Sequence, residues 1–402
     1  MQQNSTATVP PYLVWIISDD IFNSFSAAPR LEIVKEMRNL GWRVDLIASG
    51  AVGRHVVQGV DVLCFPQLNV YLIRQVSYHL NIIRYILQNW KQIDVILFHH
   101  VSLPWLLPLR LLNMYRRPSP IFVMDTRTVP MESVGKATLK DRVRGEFYFL
   151  MNILANRLTD GQTAITQRMA DLLNIPREKL WGTWPSGVNA EMFSAASKER
   201  QWSGSHDPIN IIYIGSLSHE RNLTTLCEAI IDANQAGMRF KLFLYGEGTA
   251  KKDLQAFADK YPELITVFNK VNHNQIPTVL SDAHVGVLPF PDEDKYRVSS
   301  PIKLFEYMGA GMPILATQIV CHTDVVGSGD YVFWAESADV KGIFDALQKI
   351  WYARSSLAAM GEKSLNAANN WTYKTSAKKL SNALQYGLSI SRKDKMPETN
   401  NS

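Results

Sequence analysis

The chain alternates short, almost wholly apolar runs with longer stretches whose apolar residues recur every three to four positions. The short runs are typical of buried parallel strands, and the longer stretches are typical of helices with one buried face. The stretch 30–40 is a clear example, because its apolar side chains share one helical face and Gly41 follows as a C-cap. The pattern predicts a parallel sheet with helices on both faces.

This alternation runs twice along the chain, on either side of a polar segment. The predicted strands cover 13–17, 43–48, 61–65, 94–98, 121–124, 163–165, 209–214, 240–245, 265–268, 285–288 and 313–316. The polar segment, 194–208, is rich in small residues and lacks an apolar period, so we expect a linker there. The sequence therefore predicts an α/β fold of two doubly wound, Rossmann-like domains, with ligands bound in a central cleft at the carboxyl ends of the strands.

Composition narrows the class of protein. The chain has 402 residues, of which 46% are hydrophobic and 20% charged, which excludes a disordered chain or a single small module. Cys64, Cys227 and Cys321 are too widely spaced for a disulfide framework or a paired zinc site, so we expect them in the core of a cytoplasmic protein. The first residues lack a secretory signal pattern, and no apolar run is long enough to predict a membrane span.

The positive charge is concentrated in the front half. Residues 1–190 hold 20 lysines and arginines against 14 aspartates and glutamates, whereas 191–402 hold 22 against 23. This asymmetry indicates an anionic partner, either a membrane surface or a phosphorylated acceptor, and a solvated basic face without a partner is the alternative. The segment 136–158 carries Lys136, Lys140, Arg142 and Arg144 near its start, and the rest of it is strongly apolar. This pattern predicts either a helix lying on an anionic bilayer or a buried helix with a basic first turn.

Two segments of the second half carry candidate binding residues. In 213–223 a strand, a turn at Gly215 and a helix bring free backbone amides and Arg221 together, which suits a phosphate, although an ordinary strand-to-helix turn has the same pattern. In 299–316 a helix begins near Pro301, with Lys303 and Glu306 on one face. The lysine suits a diphosphate, and the carboxylate suits a ribose diol.

One acidic run, 292–294, lies in a polar loop of the second half. We interpret it as solvated surface, because no convincing pair of aspartates with metal-ligand spacing stands beside it. The sequence therefore predicts no metal site.

The second half resembles the nucleotide-sugar-binding domain of the retaining GT-B glycosyltransferases of family four, the group 1 glycosyl transferases. Four pieces occur in that family's order: YIGSLSHERNL (213–223), LFLYGEG (242–248), VNHNQIPTVLSDAHVGVLPF (271–290) and SPIKLFEYMGAGMPILAT (300–317). In addition, WPSGVNAEMF (184–193) resembles the end of the family's first domain, and Trp371 stands where its chain crosses back to that domain.

The resemblance implies a nucleoside-diphosphate-sugar donor. The implied donor-site residues are Gly215, Ser216, Arg221, Gly246, Val271, Ser300, Ile302, Lys303 and Glu306. Glu306 would bind the ribose hydroxyls, Arg221 the phosphates, and the amides around Ile302 the diphosphate. Two positions depart from the family: Ser216 stands where an arginine is frequent, and Val298 where the first of two glutamates is frequent. Lys303 would then supply the missing charge.

The front half resembles the family less, and its candidates follow strands. Asp19 and Asp20 follow the first strand and are candidate acceptor-binding residues, with a solvated loop as the alternative. His99 and His100 end another strand where relatives often have a histidine, and are either catalytic or structural.

Asp125 and Arg127 follow the next strand and resemble an Asp-x-Arg element of some relatives. Such a pair would either orient the acceptor as part of the catalytic centre or brace its own loop.

The resemblance also gives the expected domain boundaries. They are 1–195 for an acceptor-binding domain, 205–370 for a nucleotide-sugar-binding domain, 371–388 for a helix crossing back to the first domain, and 389–402 for a flexible tail.

The implied activity is a retaining, metal-independent transfer of sugar to a saccharide or lipid-linked acceptor in glycan or polysaccharide biosynthesis, with no cofactor. Arg221 and backbone amides would stabilise the leaving diphosphate. We expect no nucleic acid partner and a cytoplasmic location, either free or at the inner face of a membrane. The alternatives are a nucleotide-sugar epimerase and a non-catalytic nucleotide-sugar-binding partner, which the departures at Ser216 and Val298 suggest.

Overall fold

The computed structural model describes residues 9–22, 27–67, 73–113, 115, 118–130, 139–202, 204 and 207–393. The chain divides into two compact units. The first comprises 1–129, 143–185 and 373–402, and the second comprises 130–142 and 186–372. Each unit is built around one sheet of mainly parallel strands, as the sequence predicts.

The first unit contains an eight-stranded sheet. Its strands are β1 (Tyr12–Asp20), β2 (Arg43–Ser49), β3 (Gly53–Val57), β4 (Val60–Phe65), β5 (Val95–Phe98), β6 (Ile121–Thr126), β7 (Gly161–Ala164) and β8 (Leu180–Thr183). Their spatial order is β3-β4-β2-β1-β5-β6-β7-β8. Every neighbouring pair is parallel except β3 and β4, which form an antiparallel hairpin at the edge.

Helices cover both faces of this sheet. They are α1 (Ala27–Asn39), α2 (Ile73–Asn89), α3 (Leu103–Leu112), α4 (Leu139–Leu158, of which Val143 onward belongs to this unit), α5 (Gln167–Leu172) and the last helix, α15 (Tyr373–Lys393). One core joins the sheet to α1 and α15 through side chains such as Leu31 and Leu380. The other joins it to α2, α3 and α4 through Tyr78, Leu106 and Met151.

The second unit contains a six-stranded, wholly parallel sheet. Its strands are β9 (Ile209–Ser216), β10 (Phe240–Glu247), β11 (Ile265–Phe268), β12 (Val285–Leu288), β13 (Ile314–Thr317) and β14 (Val332–Ala335), in the order β11-β10-β9-β12-β13-β14. The order reverses between β9 and β12, and open sheets of this type bind ligands beyond the carboxyl ends of the strands at that point.

Nine helices of the described residues belong to the second unit. They are α6 (Ala190–Glu199), α7 (Leu223–Gln235), α8 (Lys251–Lys260), α9 (Ile276–Ser281), α10 (Asp294–Arg297), α11 (Ile302–Gly309), α12 (Val320–Val326), α13 (Val340–Tyr352) and α14 (Leu357–Ala368). The helix predicted after the turn at Gly215 is confirmed as α7, and the helix predicted to begin near Pro301 is confirmed as α11.

The predicted linker over 194–208 is wrong in its first part, because α6 continues through Glu199. Phe193 and Ala196 are buried in the core of the second unit, so this helix cannot be a free connection. The structure also divides the chain at residues 185 and 186, ten residues before the predicted boundary at 195. The amide of Val188 donates to the carbonyl of Trp371, 2.9 Å away, which ties the two ends of the second unit together.

Two further expectations need correction. The segment 389–393 is helical rather than a flexible tail, because α15 extends to Lys393; residues 394–402 lie outside the described residues. Residues 18–20, predicted to lie in a loop, continue β1, because Asp20 still pairs with Ser49 of β2.

The three cysteines are buried and free, in agreement with their prediction as core residues. Among the helices of the described residues, none combines the length and the apolar character that crossing a membrane requires.

Candidate functional site

Two glycines stand one residue before the carboxyl ends of the neighbouring strands β9 and β10. Gly215 has φ +148° and Gly246 has φ +153°, a backbone conformation that side chains rarely allow. A Cβ atom on Gly246 would lie 1.7 Å from the carbonyl oxygen of Gly215, and a Cβ on Gly215 would lie 1.9 Å from Cε of Lys303. Glycine at both positions therefore lets the strands end side by side and lets the Lys303 side chain lie across the end of β9.

The first turn and a half of α11 carries two charged side chains toward the carboxyl ends of β9 and β10. The helix begins at Ile302, and Lys303 and Glu306 are three positions apart on one face. Glu306 is only 6% exposed. Among the described residues, neither group has a hydrogen-bonding or ion-pairing partner. Both charged groups are therefore available to hydrogen-bond a ligand that offers an anion and hydroxyl donors.

A second cation completes the group. Arg221 ends a short 3-10 turn, His219–Arg221, that follows β9. Burial lowers the pKa of Lys303, the Arg221 guanidinium lowers it further, and the Glu306 carboxylate opposes both. The Arg221 guanidinium, like the Lys303 ammonium group, forms no hydrogen bond with the described part of the chain. We call Arg221, Lys303 and Glu306 the donor triad; its two unpaired cations suit an anionic group and its carboxylate suits hydroxyl donors.

The other predicted donor-site residues lie in the same unit with different surroundings. The backbone oxygen of Ser216 accepts a hydrogen bond from the Tyr213 hydroxyl at 3.0 Å. The Ser300 hydroxyl accepts one from the Ser186 amide at 3.0 Å. Val271 lies after β11, which is two strands away from β9, and packs against the core. Their role in binding a donor stays a prediction.

Sequence reasoning missed an aromatic pair that supports Arg221. Its guanidinium carbon lies 4.8 Å from the ring centre of Phe290 and 5.4 Å from that of Tyr296. Both rings are buried, so in the sequence they look like ordinary core residues. No local signal distinguishes them, because the contact depends on two loops meeting in the fold.

The acidic run at 292–294 forms surface ion pairs. Asp292 and Asp294 pair with Arg297 at 2.7 and 3.1 Å, and Glu293 pairs with Lys295 at 2.7 Å. This agrees with its interpretation as solvated surface. Within the described residues, no group of three histidine, cysteine, aspartate or glutamate side chains is arranged to hold a metal ion.

In the first unit, the candidate residues lie at one edge of the sheet. The strands β1, β5 and β6 are neighbours, and their carboxyl ends carry the candidates. These candidates are Asp19 and Asp20, His99 and His100, and Asp125 and Arg127. The candidates of these three strands therefore lie along one edge of the sheet, and their roles stay predictions.

His99 braces the end of β1. Its Nδ1 accepts a hydrogen bond from the Val101 amide at 3.3 Å, and its Nε2 lies 3.0 Å from the Ser18 hydroxyl. Burial lowers its pKa to about 3, and the neighbouring His100 adds to this effect. Neutral His99 thus has both ring nitrogens engaged, which matches the structural alternative; a catalytic role stays a prediction.

His100 lies against Tyr148 in the middle of α4. The ring centres are 4.7 Å apart and edge to face. Burial lowers the pKa of His100 to about 4, and the charge of Arg144 lowers it as well. His100 is therefore neutral near pH 7, and its catalytic role also stays a prediction.

Asp125 and Arg127 both contact Trp184. Asp125 accepts hydrogen bonds from the Thr163 hydroxyl at 2.6 Å and the Trp184 indole at 2.9 Å. Arg127 donates to the Trp184 carbonyl at 2.6 Å, and its guanidinium carbon lies 3.4 Å from the centre of that ring. Burial raises the pKa of Asp125 and lowers that of Arg127 to about 10. These contacts match the bracing alternative, and an acceptor-orienting role stays a prediction.

Asp19 and Asp20 have local partners. Asp19 pairs with Arg30 of α1. Asp20 accepts a hydrogen bond from the Phe22 amide at 2.9 Å. Their predicted contact with acceptor hydroxyls is not tested by these interactions.

Comparison with known proteins agrees with this geometry. The family described as glycosyl transferases group 1 matches residues 208–352, which hold the donor triad. WcaL of Escherichia coli (strain K12), which carries the name of a colanic acid biosynthesis glycosyltransferase, is 24% identical over 148 residues. This match covers 36% of the chain, and the chain spans only 35% of the length of that relative.

Solved structures share the two-domain fold. Sucrose-phosphate synthase from Thermosynechococcus elongatus superposes with a TM-score of 0.71 at 13% identity, over 96% of this chain and 99% of that one. Anabaena HepE, solved in complex with UDP-glucose, gives a TM-score of 0.67 at 14% identity, over 93% and 99%. Residues 208–352 are therefore similar to the group 1 glycosyl transferases, and the chain as a whole shares the two-domain GT-B fold of these solved structures.

Proposed function

We propose that this protein is a retaining glycosyltransferase that moves a sugar from a nucleoside-diphosphate sugar to a saccharide or lipid-linked acceptor in polysaccharide biosynthesis. The donor triad carries the proposal. Two cations without hydrogen-bonding partners in the described chain, Arg221 and Lys303, lie near the unpartnered carboxylate of Glu306. A nucleotide sugar offers a diphosphate for the cations and a ribose diol for the carboxylate.

In the proposed reaction, the bond between the anomeric carbon and the diphosphate oxygen breaks, and a bond to the acceptor oxygen forms on the same face of the sugar. The proton of the acceptor hydroxyl passes to the departing phosphate oxygen, so no strong protein base is needed. Arg221 and Lys303 stabilise the negative charge that grows on the leaving diphosphate. This places the neutralising charge on side chains, and we expect transfer without a resident metal or other cofactor.

Nucleotide binding is tested by calorimetry with UDP, ADP and GDP. The complex of HepE with UDP-glucose makes UDP the first choice. Glu306→Gln should weaken binding of the preferred nucleotide at least about tenfold, because the amide no longer accepts two hydrogen bonds from a diol. Glu263→Gln is the matched control, since Glu263 is exposed in the same unit. Equal affinities of Glu306→Gln and the unaltered protein would remove the ribose assignment.

Turnover separates the proposal from its alternatives. UDP-glucose is incubated with the protein, with and without a bacterial membrane-lipid fraction as acceptor. Transfer of glucose to lipid only in the presence of the fraction supports a transferase. An isomerised sugar nucleotide formed without acceptor would indicate an epimerase, and tight binding without turnover across a panel of nucleotide sugars would indicate a non-catalytic partner.

The basic front half is also proposed to rest on an anionic membrane, at the cytoplasmic face. The solvent face of α4 supports this, since it exposes large apolar side chains: Val143 (62%), Phe147 (38%), Phe149 (44%), Leu150 (51%) and Ile153 (57%). Arg142, Arg144 and Arg157 are exposed on the same helix, together with Glu146. Apolar side chains flanked by arginines are typical of helices that lie in the headgroup region of anionic bilayers.

Sedimentation with vesicles tests this contact. The protein should sediment with vesicles of phosphatidylcholine and phosphatidylglycerol and less with phosphatidylcholine alone, because the arginines need anionic lipid. The double variant Leu150→Ser, Ile153→Ser should lose this binding. Tyr352→Ser, which removes a 75% exposed side chain of the second unit, should keep it. Equal sedimentation of both variants would exclude α4 as the docking face.

A further inference from the structure

The Arg221 guanidinium packs against two aromatic rings and forms no hydrogen bond with the residues that the structure describes. Phe290 and Tyr296 stack on each other, with ring centres 5.0 Å apart and planes 22° apart. The guanidinium lies over both rings, at 4.8 and 5.4 Å from their centres. Rings attract the face of a guanidinium and leave its in-plane N–H groups unused. Such a support fixes a cation without occupying the donors that a diphosphate needs.

The backbone on each side of Arg221 is fixed as well. The Tyr296 hydroxyl donates to the carbonyl of Glu220 at 2.5 Å. The side-chain amide of Asn222 donates to the Pro289 carbonyl at 3.1 Å. Asn222 has a left-handed backbone, with φ +59°, which turns the chain into α7 directly after Arg221. The arginine is therefore held at its backbone and beneath its side chain by neighbouring groups.

Tyr296 contributes to both kinds of contact. It is 1% exposed and belongs to α10, a short helix of Asp294–Arg297. Its ring packs on Phe290 and under the guanidinium, while its hydroxyl reaches the residue before Arg221. A buried tyrosine hydroxyl needs a hydrogen-bond acceptor, and here the acceptor is the carbonyl of the residue before Arg221.

We propose that Tyr296, assisted by Phe290, is a positioning residue that sets the guanidinium of Arg221 for the diphosphate of the donor. The inference rests on the proposed function, in which Arg221 binds that diphosphate. Neither aromatic side chain touches the ligand in this account. Their effect on binding passes through Arg221.

A double-mutant cycle in the full-length protein tests the inference, with UDP, ADP and GDP and their nucleosides as probes. Arg221→Met should lower diphosphate affinity at least about tenfold and leave nucleoside affinity unchanged, because charge-assisted hydrogen bonds to phosphate are lost. Tyr296→Leu should show a smaller loss of the same kind. The double variant should bind no more weakly than Arg221→Met, because the two residues act as one unit.

Controls separate positioning from general loss of packing. Tyr331→Leu removes another buried aromatic ring, 3% exposed, from the same core and should lower the melting temperature without changing the ratio of diphosphate to nucleoside affinity. Tyr296→Phe keeps the ring and removes only the bond to Glu220; it should fold normally and lose part of the diphosphate affinity. It tests the inference even where Tyr296→Leu fails to fold.

The outcomes distinguish the inference from the proposed function. Failure of the unaltered protein to bind any of the nucleotides would overturn both. Normal nucleotide binding with additive losses in the double variant, or equal losses for diphosphate and nucleoside, would overturn the positioning role alone. A non-additive loss confined to the diphosphate supports it.

Discussion

At the residue scale, the candidate donor site contains one charged group, the Lys303 ammonium, whose burial reduces the stability of the fold. Lys303 lies in a position where burial and the nearby Arg221 lower its pKa, and Glu306 only partly compensates. A lysine whose pKa is lower in the folded than in the unfolded state destabilises the fold while it is protonated. The diphosphate of a donor would relieve this cost by supplying the missing negative charge.

Lys303→Met should therefore raise stability and weaken binding together. Because the unfolded chain binds the proton more tightly, the cost is fully present below the folded pKa and disappears as pH rises toward the ordinary value of about 10.5. At pH 7 the variant without ligand should melt at a higher temperature than the unaltered protein. Its affinity for UDP should be lower than that of the unaltered protein. In the unaltered protein the affinity should fall at alkaline pH, as Lys303 loses its proton, and in the variant this fall should be absent.

The measurement is a thermal melt with and without UDP from pH 7 to 10, with the two proteins compared at each pH so that ionisation of uracil cancels. Lys341→Met is the control, because Lys341 is exposed and its bond to Asp345 raises rather than lowers its pKa. A destabilised Lys303→Met that binds UDP normally would contradict the placement of Lys303 in the site.

Sequence reasoning identified the donor triad but not what holds it. Arg221, Lys303 and Glu306 were predicted because charged side chains beside a glycine turn or a helix start are informative on their own. Tyr296 was not, because a tyrosine near a strand end has the same appearance whether it fills a core or supports a cation. In the first unit, the sequence left bracing and catalysis open for Asp125, and the bond from the Trp184 indole could not be foreseen.

At the element scale, long unbroken apolar runs predicted strands well, and short or half-exposed ones were missed. The prediction lacked β3, β8 and β14. β3 alternates partly buried and exposed positions and is joined to β4 by the two-residue turn Gln58-Gly59, in which both residues have positive φ. This is the geometry of a tight hairpin, and its signal is weak here because glutamine is unusual at the first position.

The connection into the second unit is an anchoring element rather than a linker. Arg200, at the end of α6, is 5% exposed and donates to four carbonyl groups. These belong to Leu280, Ala283, Ala310 and Gly311, at distances of 2.6 to 2.9 Å. They lie at or just beyond the ends of α9 and α11, where carbonyls lack partners within the helix. One side chain thus joins three helices, including the one that carries Lys303.

Arg200→Met should destabilise the second unit by about 3 kcal/mol, because buried carbonyls lose charge-assisted hydrogen bonds that a thioether cannot replace. Urea unfolding followed by circular dichroism measures this loss. Lys198→Met, two residues earlier on the exposed part of α6, should change stability by less than about 0.5 kcal/mol. Similar midpoints for Arg200→Met and the unaltered protein would show that water replaces the guanidinium at these carbonyls.

At the scale of the whole molecule, the chain begins and ends in the same unit. The described residues of the core of the second unit run from Val188 to Ala368. The first unit uses side chains on both sides of that stretch, since Tyr373, Ala377, Leu380 and Leu384 of α15 are buried against β1 and α1. The Trp42 indole also donates to the Ser381 hydroxyl at 2.8 Å. The first unit is therefore incomplete without the last helix, whereas the described core of the second unit lies within one continuous stretch of chain.

Separation of the two units should have opposite results. A chain of residues 186–372, without 130–142, should fold on its own, because it contains the described residues of the core of the second unit and the hydrogen bond between Val188 and Trp371. It should melt cooperatively and bind the preferred nucleotide diphosphate, since the donor triad lies within it.

A chain that ends at residue 372 should lose the structure of the first unit, because the four buried side chains of α15 are removed and their apolar partners are exposed to water. The full-length protein should melt in two transitions. The chain that ends at residue 372 should keep only the transition that the 186–372 chain also shows, and this result would support the division. A 186–372 chain without a cooperative transition would show instead that the second unit needs the first for its stability.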